Sequence, residues 1–480
     1  MSTKSFYFYD LETTGFSPRS ARIMQFGGQR TDMQFKPIGQ PHNYLIKITE
    51  DVLPEPDAVL VTGITPQKTL SEGITEAEFL KIFHSEIATP DTIFVGFNNV
   101  RFDDEFMRFL HYRNFYDPYE WQWRDNRSRF DLLDPVRMTR ALRPKGIKWP
   151  FASDGSPSNQ LGLLTSVNKL DHQDAHDALS DVMATISLAR LIYSKQAKLF
   201  DYLLTLRDKR KVSSLVGSGK PFVYTSGKYP SEYEKTTVVS VITDNPKRQG
   251  VLVYDLRYDP SDYTKLSVAE IVEAWQRRYD DPGLRLPVKT LQFNRCPALA
   301  PLSVLDKDSQ SRLSLDLSVI NANHKKLKAD KKFADTLLKA LEIMDKSMQA
   351  RLLEDQIDVD KRLYEGFFDR EDQTKMSLIR AADGGELSNL DITFKDDRLR
   401  ALLPLYKARN YPKYLTDEDR LVWERFRERK LMGGKNEGRL SRYFKRIAEL
   451  EVRPDLSDRA RYILEELKFY GQSVAPTDLE

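Results

Sequence analysis

The feature that most constrains this chain is a run of four aromatic residues, positions 6–9, that ends directly in acids. An extended segment of this kind buries side chains on both of its faces, which indicates an interior strand. Asp10 and Glu12 follow, and residues two apart in a strand point to the same face. The sequence therefore predicts a buried strand that presents two carboxylates together at its end.

The pattern of the chain changes twice. Up to about residue 194, apolar strand-like runs alternate with amphipathic helical patterns, among them a long helix at 175–195, which indicates an α/β layer. From about residue 201, short β-rich runs between turn signals indicate a small, mostly antiparallel β domain with helical insertions. From about residue 334 the pattern is helical again. We therefore predict three domains, at residues 1–200, 201–350 and 351–480.

Composition excludes several classes of protein. The chain of 480 residues has a formal net charge of only +3, so its overall charge does not itself indicate nucleic-acid binding. We find no apolar run of about 18 residues and no signal-peptide pattern, so we expect no membrane association. The single cysteine, Cys296, excludes an internal disulfide framework and fits the reducing cytoplasm. Basic runs at 324–332 and 401–450 fit either phosphate-binding surfaces or solvated helix faces.

Three motifs bring together residues suited to metal chemistry. Asp10 and Glu12 would repel each other unless a hard cation such as Mg²⁺ lay between them. Asp103 stands where an apolar strand gives way to a helix, so it is either a metal ligand or a helix N-cap. His176 and Asp181 are five residues apart, and they share a helix face only if His176 lies in the first turn or the preceding loop. Three neighbours compete for these roles: His172, Asp174 and Asp177.

The ordered set of motifs, an Asp-x-Glu pair, a later Asp and a His-x4-Asp pair, resembles the DEDD exonuclease superfamily in its histidine subclass. The resemblance implies a ribonuclease H-like fold and removal of nucleotides from 3′ ends. It implies a site for two Mg²⁺ ions, with Mn²⁺ as an alternative, whose catalytic metal ligands are Asp10, Glu12, Asp103 and Asp181. It also implies that His176 is the general base, a role that an ordinary histidine pKa of about 6.5 suits.

A closer resemblance, to the bacterial exonuclease I family, covers nearly the whole chain. It is carried by collinear stretches such as VLVTGITP, NNVRFDDE, AHDALSDV, PVKTLQFNRCPALA and LDITFKDDRLRALLPLYKARNYP. The resemblance implies a ribonuclease H-like domain, an SH3-like β domain and a C-terminal helical domain. It implies a cytoplasmic monomer that degrades single-stranded DNA processively, 3′ to 5′, to mononucleotides in DNA repair and recombination. It further implies a partner, the acidic C-terminal tail of single-stranded DNA-binding protein.

Candidate DNA contacts come from the resemblance and from one dense region. Residues 97–130 are rich in arginines and aromatic residues, and single-strand binders combine cationic grooves with aromatic stacking platforms. The polar surroundings of Trp121 and Trp123 predict that at least one of them is partly exposed. The resulting DNA-binding candidates are Thr13, Arg108, Tyr119, Trp123, Arg137, Gln160, Lys209, Lys289, Asn294, Tyr364 and Phe367. The candidates for binding the acidic tail are Arg143 and Tyr202.

One position departs from the family pattern. Where relatives commonly have a basic residue, this chain has Gln160, so a phosphate contact there would be a neutral hydrogen bond. Three other functions remain open. A 3′ RNA-trimming or proofreading nuclease would share the acids, and a ribonuclease H-type enzyme would cut internally. A non-catalytic single-stranded DNA-binding scaffold would have lost at least one acid.

Overall fold

The aromatic run forms strand β1 at the centre of a five-stranded sheet. The sheet has the order β3-β2-β1-β4-β5, with β1 Ser5–Thr13, β2 Ile23–Thr31, β3 Pro37–Leu45, β4 Thr92–Gly96 and β5 Ser128–Asp131. β2 pairs antiparallel with β1 and β3, whereas β4 pairs parallel with β1 and β5. The protein is described by a computed structural model that covers residues 4–172, 176–278, 281–353, 358–433 and 437–476.

Both faces of β1 are buried, as the sequence predicts. Phe6 and Phe8 pack with Phe35 on one face, and Tyr7 and Tyr9 pack on the other. The helices of this N-terminal domain are α1 Pro56–Thr62, α2 Pro66–Glu72, α3 Glu76–Ile82, α4 Asp103–Arg113, α5 Leu133–Leu142, α6 Leu161–Val167 and α7 Ala178–Thr205, and the next helix, α8 Lys209–Val216, packs into the core of the central domain. Shorter helical turns are Phe83–Ile87, Glu120–Gln122 and Arg124–Asn126.

Helix α7 differs from the predicted helix at 175–195. It begins at Ala178 because the side chain of Asp177 accepts a hydrogen bond from the Ser180 amide and caps it. It ends only at Thr205, and its second half packs into the central core. Gln196 interrupts it with non-helical backbone angles, φ −138° and ψ 44°.

The central domain is a second five-stranded sheet, antiparallel throughout, in the order β10-β6-β7-β8-β9. Its strands are β6 Phe222–Thr225, β7 Thr236–Asp244, β8 Gly250–Asp255, β9 Val288–Gln292 and β10 Ala298–Pro301. Its helices are α9 Val268–Gln276, α10 Lys307–Arg312, α11 Leu317–Ala329 and α12 Phe333–Leu353, with short turns at Ser231–Tyr233, Pro260–Asp262 and Leu302–Val304. Its core is continuous with α5 and α7.

The C-terminal domain is helical in the part of it that the structure describes. Short turns at Val359–Lys361 and Leu363–Glu365 lead into α13 Arg370–Ala381, α14 Gly384–Asn389, α15 Asp397–Asn410, a turn at Pro412–Tyr414, α16 Asp417–Met432, α17 Arg439–Glu451 and α18 Asp458–Ser473. Apolar side chains join this domain to α4 in one cluster and to α1 in another. Among the described residues, no helix is both long enough and apolar enough to cross a membrane.

A buried network of charges also joins the C-terminal domain to the N-terminal domain. Asp360 accepts hydrogen bonds from Arg22, at 2.6 Å, and from Arg409, while Asp51 accepts them from Arg409, at 2.8 Å, and Lys430, at 2.6 Å. All five side chains are buried. Burial alone would raise the pKa of Asp51, but the three cations together hold it well below its usual range. Each carboxylate is therefore charged and matched by cations from the protein itself.

Candidate active site

Two carboxylates project from the end of β1 at the centre of the first sheet. Asp10 lies opposite Gly27 of β2, and Glu12 lies opposite Gln25, just before an irregularity in the pairing. Gly27 has a steric reason to be glycine, because a β-carbon there would stand 2.5 Å from the backbone of Ala178. The missing side chain lets the first turn of α7 lie directly on β2. This close approach brings α7 to the acids of β1.

Asp103 enters the site at the start of α4. It is buried, and no side-chain hydrogen bond caps this helix. The loop between β4 and α4 is fixed by Asp131, whose carboxylate accepts hydrogen bonds from the amides of Asn98, at 3.0 Å, and Val100, at 3.3 Å. Asp103 is not the N-cap of α4, because Phe102 occupies the cap position.

His176 lies in the loop immediately before α7, where its backbone adopts the left-handed conformation with φ 69°. Asp181 is in the first turn of the helix. Donor atoms of Glu12, His176 and Asp181 all lie within 4.8 Å of one another. The condition that the sequence sets for a shared face, a histidine outside the regular helix, is thus met.

The competing candidates have other roles or lie elsewhere. Asp177 caps α7 and accepts a hydrogen bond of 2.7 Å from Gln25. Asp174 lies outside the residues that the structure describes. The side chain of His172 is 6% exposed, and its Nε2 atom is 2.5 Å from an Asp181 carboxylate oxygen. Its Nδ1 atom is 3.1 Å from the hydroxyl of Thr165.

The carboxyl groups of the site have raised pKa values. Burial, followed by repulsion from Asp10, raises the pKa of Glu12 to about 9 and that of Asp103 well above its usual range. Burial and the charge of Asp181 raise the pKa of Asp10 in the same way. Burial also raises the pKa of Asp181, although its hydrogen bond with His172 opposes the shift. Among the described residues, no lysine or arginine lowers the pKa of Asp10, Glu12 or Asp103.

This donor set fits divalent metal. Hard cations such as Mg²⁺ prefer carboxylate oxygens, and a cation among these groups would remove the repulsion that raises their pKa values. The close set of Glu12, His176 and Asp181 supplies oxygen and nitrogen donors within 4.8 Å of one another. Asp10 and Asp103, which interact electrostatically with each other, complete the acids of the site.

Comparison with known proteins extends these observations to the whole chain. Family models match at residues 7–189 (Exonuclease), 207–342 (Exonuclease I SH3-like domain) and 357–474 (Exonuclease I C-terminal domain). Exodeoxyribonuclease I of Escherichia coli is 39% identical over 424 residues, 87% of this chain and 88% of the relative. The Haemophilus influenzae protein of the same name is 38% identical over 434 residues, 89% of this chain and 90% of the relative. The chain belongs to the exonuclease I family.

Solved structures of exonuclease I have the same fold as this chain. Exonuclease I from Methylocaldum szegediense superposes with a TM-score of 0.90 at 39% identity, covering 98% of this chain and 99% of that one. E. coli exonuclease I in complex with a dA16 oligonucleotide gives 0.90 at 35% identity, covering 98% and 100%. An ExoI/SSB-Ct complex gives 0.90 at 35% identity, covering 99% and 100%. The predicted ribonuclease H-like, SH3-like and helical fold and the exonuclease class are confirmed, whereas the exact domain boundaries stay a prediction.

A groove of about 1290 Å³ runs between the three domains of this exonuclease I family member. It brings together seven of the predicted DNA-binding residues: Arg108, Tyr119, Trp123, Lys209, Asn294, Tyr364 and Phe367. Trp123 is 63% exposed, whereas Trp121 is fully buried. The Arg108 guanidinium lies 5.4 Å from the Tyr119 ring centre, and Tyr119 lies 5.9 Å from Phe367. The groove therefore offers aromatic faces beside cations.

The other candidates lie outside this groove. Thr13 is buried in β1, Gln160 is exposed before α6, and Arg137 forms an ion pair of 2.6 Å with Asp134. Lys289 lines a separate cavity of about 320 Å³, where burial lowers its pKa to about 8. The roles of these four residues stay predictions.

The two candidate residues for binding the acidic tail lie where the N-terminal and central domains meet. Arg143 donates to the Val304 carbonyl at 3.0 Å and forms an ion pair of 3.3 Å with Asp306. Tyr202 packs against the central core, and burial raises the pKa of its hydroxyl. Their roles also stay predictions.

Sequence reasoning missed several cations of the groove: Arg101, Arg127, Arg207, Arg210, Lys211 and Arg295. A signal was present for all of this set except Arg295, because Arg101 and Arg127 lie in the arginine-rich region 97–130 and residues 206–211 form a short basic run. Arg295 had no such signal. It reaches the groove from the segment after β9, where it donates to the Val100 carbonyl at 2.8 Å.

Proposed function

We propose that this chain is a 3′ to 5′ exonuclease that hydrolyses single-stranded DNA processively to nucleoside 5′-monophosphates, using two Mg²⁺ ions. The observation that carries the proposal is the convergence of Asp10, Glu12, Asp103, Asp181 and His176 at the end of β1 and the starts of α4 and α7. A non-catalytic scaffold gives no reason to gather carboxylates whose mutual repulsion raises their pKa values.

Each side chain has a role in this proposal. Asp10, Glu12, Asp103 and Asp181 would hold the divalent metal, which when bound would activate a water and stabilise the charge on the leaving oxygen. His176 accepts the proton of the attacking water, because its imidazole is exposed beside Glu12 and Asp181. The water oxygen bonds to phosphorus as the bond to the 3′-oxygen breaks. The products are a nucleoside 5′-monophosphate and a strand one nucleotide shorter.

The groove accounts for the substrate. Stacking of a base on an aromatic side chain contributes about 1–3 kcal/mol and tolerates any sequence. Trp123 and Phe367 present such faces, with exposed fractions of 63% and 85%. A groove built from three domains holds a strand over several nucleotides, which supports processive action. The E. coli relative solved with dA16 agrees with this substrate.

The wider role follows from the family. We propose that the chain acts in DNA repair and recombination, as a monomer in the cytoplasm, and binds the acidic tail of single-stranded DNA-binding protein through Arg143 and Tyr202. The relative solved as an ExoI/SSB-Ct complex supports this partner. Arg143 is 35% exposed in its side chain, so its guanidinium is accessible to a carboxylate.

The decisive experiment uses a DNA strand labelled at its 5′ end, with Mg²⁺. We expect a ladder that shortens from the 3′ end, and no cleavage of a circular strand, a duplex or a strand with a blocked 3′ end. Cleavage of the circle would instead support an internal cutter. Preference for RNA of the same sequence would favour an RNA-trimming enzyme, since the 2′-hydroxyl distinguishes the two. Binding of the DNA strand without any Mg²⁺-dependent cleavage would support the non-catalytic scaffold instead.

A further inference from the structure

A second cavity, of about 390 Å³, opens beside the proposed general base and is walled by two domains. His176 and Asp177 line it from the N-terminal domain, together with Gly63 and Lys68. The start of α18 lines it from the C-terminal domain, through residues that include Arg459. The volume lies within the range of small-molecule sites, about 300–1,000 Å³.

Arg459 reaches across the domain boundary to this cavity. Its Nη2 atom stands 2.3 Å from the place that a β-carbon of residue 63 would occupy. Gly63 also has φ 70° where it ends α1, a conformation that favours glycine. The absence of a side chain at position 63 therefore leaves room for the guanidinium of a different domain.

The cavity carries an excess of positive charge. Within the described parts of the chain, neither Lys68 nor Arg459 forms an ion pair. The wall holds one acid, Asp177, whose carboxylate already accepts hydrogen bonds from the Ser180 amide at 3.0 Å and from Gln25 at 2.7 Å, so two cations stand against a single carboxylate. Two cations beside His176 are thus available to an anion.

We propose that this cavity binds the 5′-phosphate of the released nucleoside monophosphate, with Arg459 and Lys68 as its ligands. The inference rests on the proposed function, which generates this product next to His176. The forked donors of an arginine match the oxygens of a phosphate. The C-terminal domain thereby contributes a side chain to product binding at the nuclease site.

The test is calorimetric titration of the full chain with dTMP in Mg²⁺, without DNA. We expect Arg459→Ala and Lys68→Ala each to weaken dTMP binding about tenfold, the loss of one charge-assisted contact. Thymidine, which lacks the phosphate, should bind the wild type far more weakly than dTMP. Inorganic phosphate in a parallel titration shows whether the phosphate alone is sufficient. Arg461→Ala is the matched control, because Arg461 is exposed on the same helix and does not line the cavity.

Unchanged dTMP binding by the double variant, with wild-type thermal stability, would overturn the proposal. Arg459→Lys keeps the positive charge but removes the paired donors of the guanidinium, so it should retain part of the affinity for dTMP. If the wild-type protein leaves single-stranded DNA intact, the proposed function is wrong. The dTMP titration tests the cavity separately, because it needs no cleavage. Product inhibition by dTMP should weaken in the same order as binding.

A separate observation concerns His172, which contacts Asp181. Its ring is held from both sides, by the Asp181 carboxylate at 2.5 Å and the Thr165 hydroxyl at 3.1 Å. Thr165 is itself anchored, since its hydroxyl lies 2.9 Å from the Gly162 carbonyl. We infer that His172 is a positioning residue that fixes one oxygen of Asp181 and leaves the other for metal. Partners of this kind orient metal ligands in many sites.

Mn²⁺ binding, followed by electron paramagnetic resonance without substrate, tests this role. We expect His172→Ala to weaken Mn²⁺ binding about 10- to 100-fold, the usual loss for such partners. His172→Gln, which retains a donor, should restore part of the affinity, and neither change should raise the KM for DNA. Wild-type Mn²⁺ affinity in a folded His172→Ala protein would show that the contact is only structural.

Discussion

Two clusters of buried carboxylates in this protein have opposite electrostatics. At the domain interface, Asp51 and Asp360 share three cations, and their pKa values lie well below the usual range. At the nuclease site, Asp10, Glu12 and Asp103 have raised pKa values. The difference teaches that buried acids alone do not mark a metal site. The distinguishing feature is that, in the part of the chain that the structure describes, no lysine or arginine lowers the pKa of these three acids.

The largest expected effect comes from removing an acid of the nuclease site. Asp103→Asn should abolish detectable Mg²⁺-dependent cleavage, because a metal ligand is lost. The free energy of unfolding in EDTA should stay level or rise by about 1 kcal/mol, since a repelling charge has gone. Gel-based cleavage and urea unfolding check both parts. Retained activity contradicts the metal assignment.

Removing an acid from the interface should have the reverse effect. Asp360→Asn leaves Arg22, Arg409 and Lys430 with one carboxylate, and breaking a buried network of this kind costs about 3–5 kcal/mol. Urea unfolding measures the loss, and cleavage assayed at low temperature should persist. Asp391→Asn, at an exposed position of the same domain, is the control and should change little. Equal stability of the two variants would refute the importance of the network.

The effect of pH should separate the two clusters. The raised folded pKa values at the nuclease site destabilise the metal-free protein as pH rises from about 4, the unfolded value, towards about 9, the pKa of Glu12. Mg²⁺ offsets this repulsion, so the difference in Tm between Mg²⁺ and EDTA samples should widen from pH 5 to 9. A Tm difference that stays constant from pH 5 to 9 would contradict the assignment of these acids as metal ligands.

The lowered pKa values of Asp51 and Asp360 act in the opposite direction. Their contribution to stability is fully present above about pH 4 and is lost as pH falls further. Thermal unfolding in Mg²⁺ should therefore show a loss of stability below pH 4. This loss should be smaller in Asp360→Asn.

The smallest expected effect concerns an exposed pair at the same interface. Arg446 binds Asp57 at 2.8 Å, with side chains 38% and 49% exposed. Because solvent screens such pairs, Asp57→Asn should cost less than about 1 kcal/mol, and 0.5 M salt should remove most of that cost. Urea unfolding at two salt concentrations measures it. A loss as large as that of Asp360→Asn would show that burial is not the deciding factor.

The sequence predicted the elements in which local pattern and function coincide. The aromatic strand, its two acids and Asp103 at a helix start follow from patterns within short segments, whereas the loop position of His176 was only the condition under which it could share a face with Asp181. Changes in pattern along the chain predicted three domains, and the family resemblance then identified the fold of each. Seven of the DNA-binding candidates line the groove because they lie in or beside segments that the resemblance covers.

Other features depend on tertiary structure and left no local signal. Asp51 and Asp360 lie in different domains, and nothing near either one indicates that they share cations. Lys289 fits the resemblance, yet the sheet directs it to a separate cavity. The meeting of Arg459 with Gly63 likewise requires α1 and α18 to pack together.

The position of Arg22 has a consequence for the modularity of the enzyme. Arg22 pairs with Thr14 through two 2.8 Å hydrogen bonds, in the loop just after the acids of β1, and its guanidinium binds Asp360. An excised nuclease domain would keep every acid of the site but lose the anchor of this loop and leave Arg22 and Asp51 without their C-terminal partners. The catalytic part of this protein therefore depends on the C-terminal domain for stability, and moving it into another protein without Asp360, Arg409 and Lys430 would remove the partners of two buried charges.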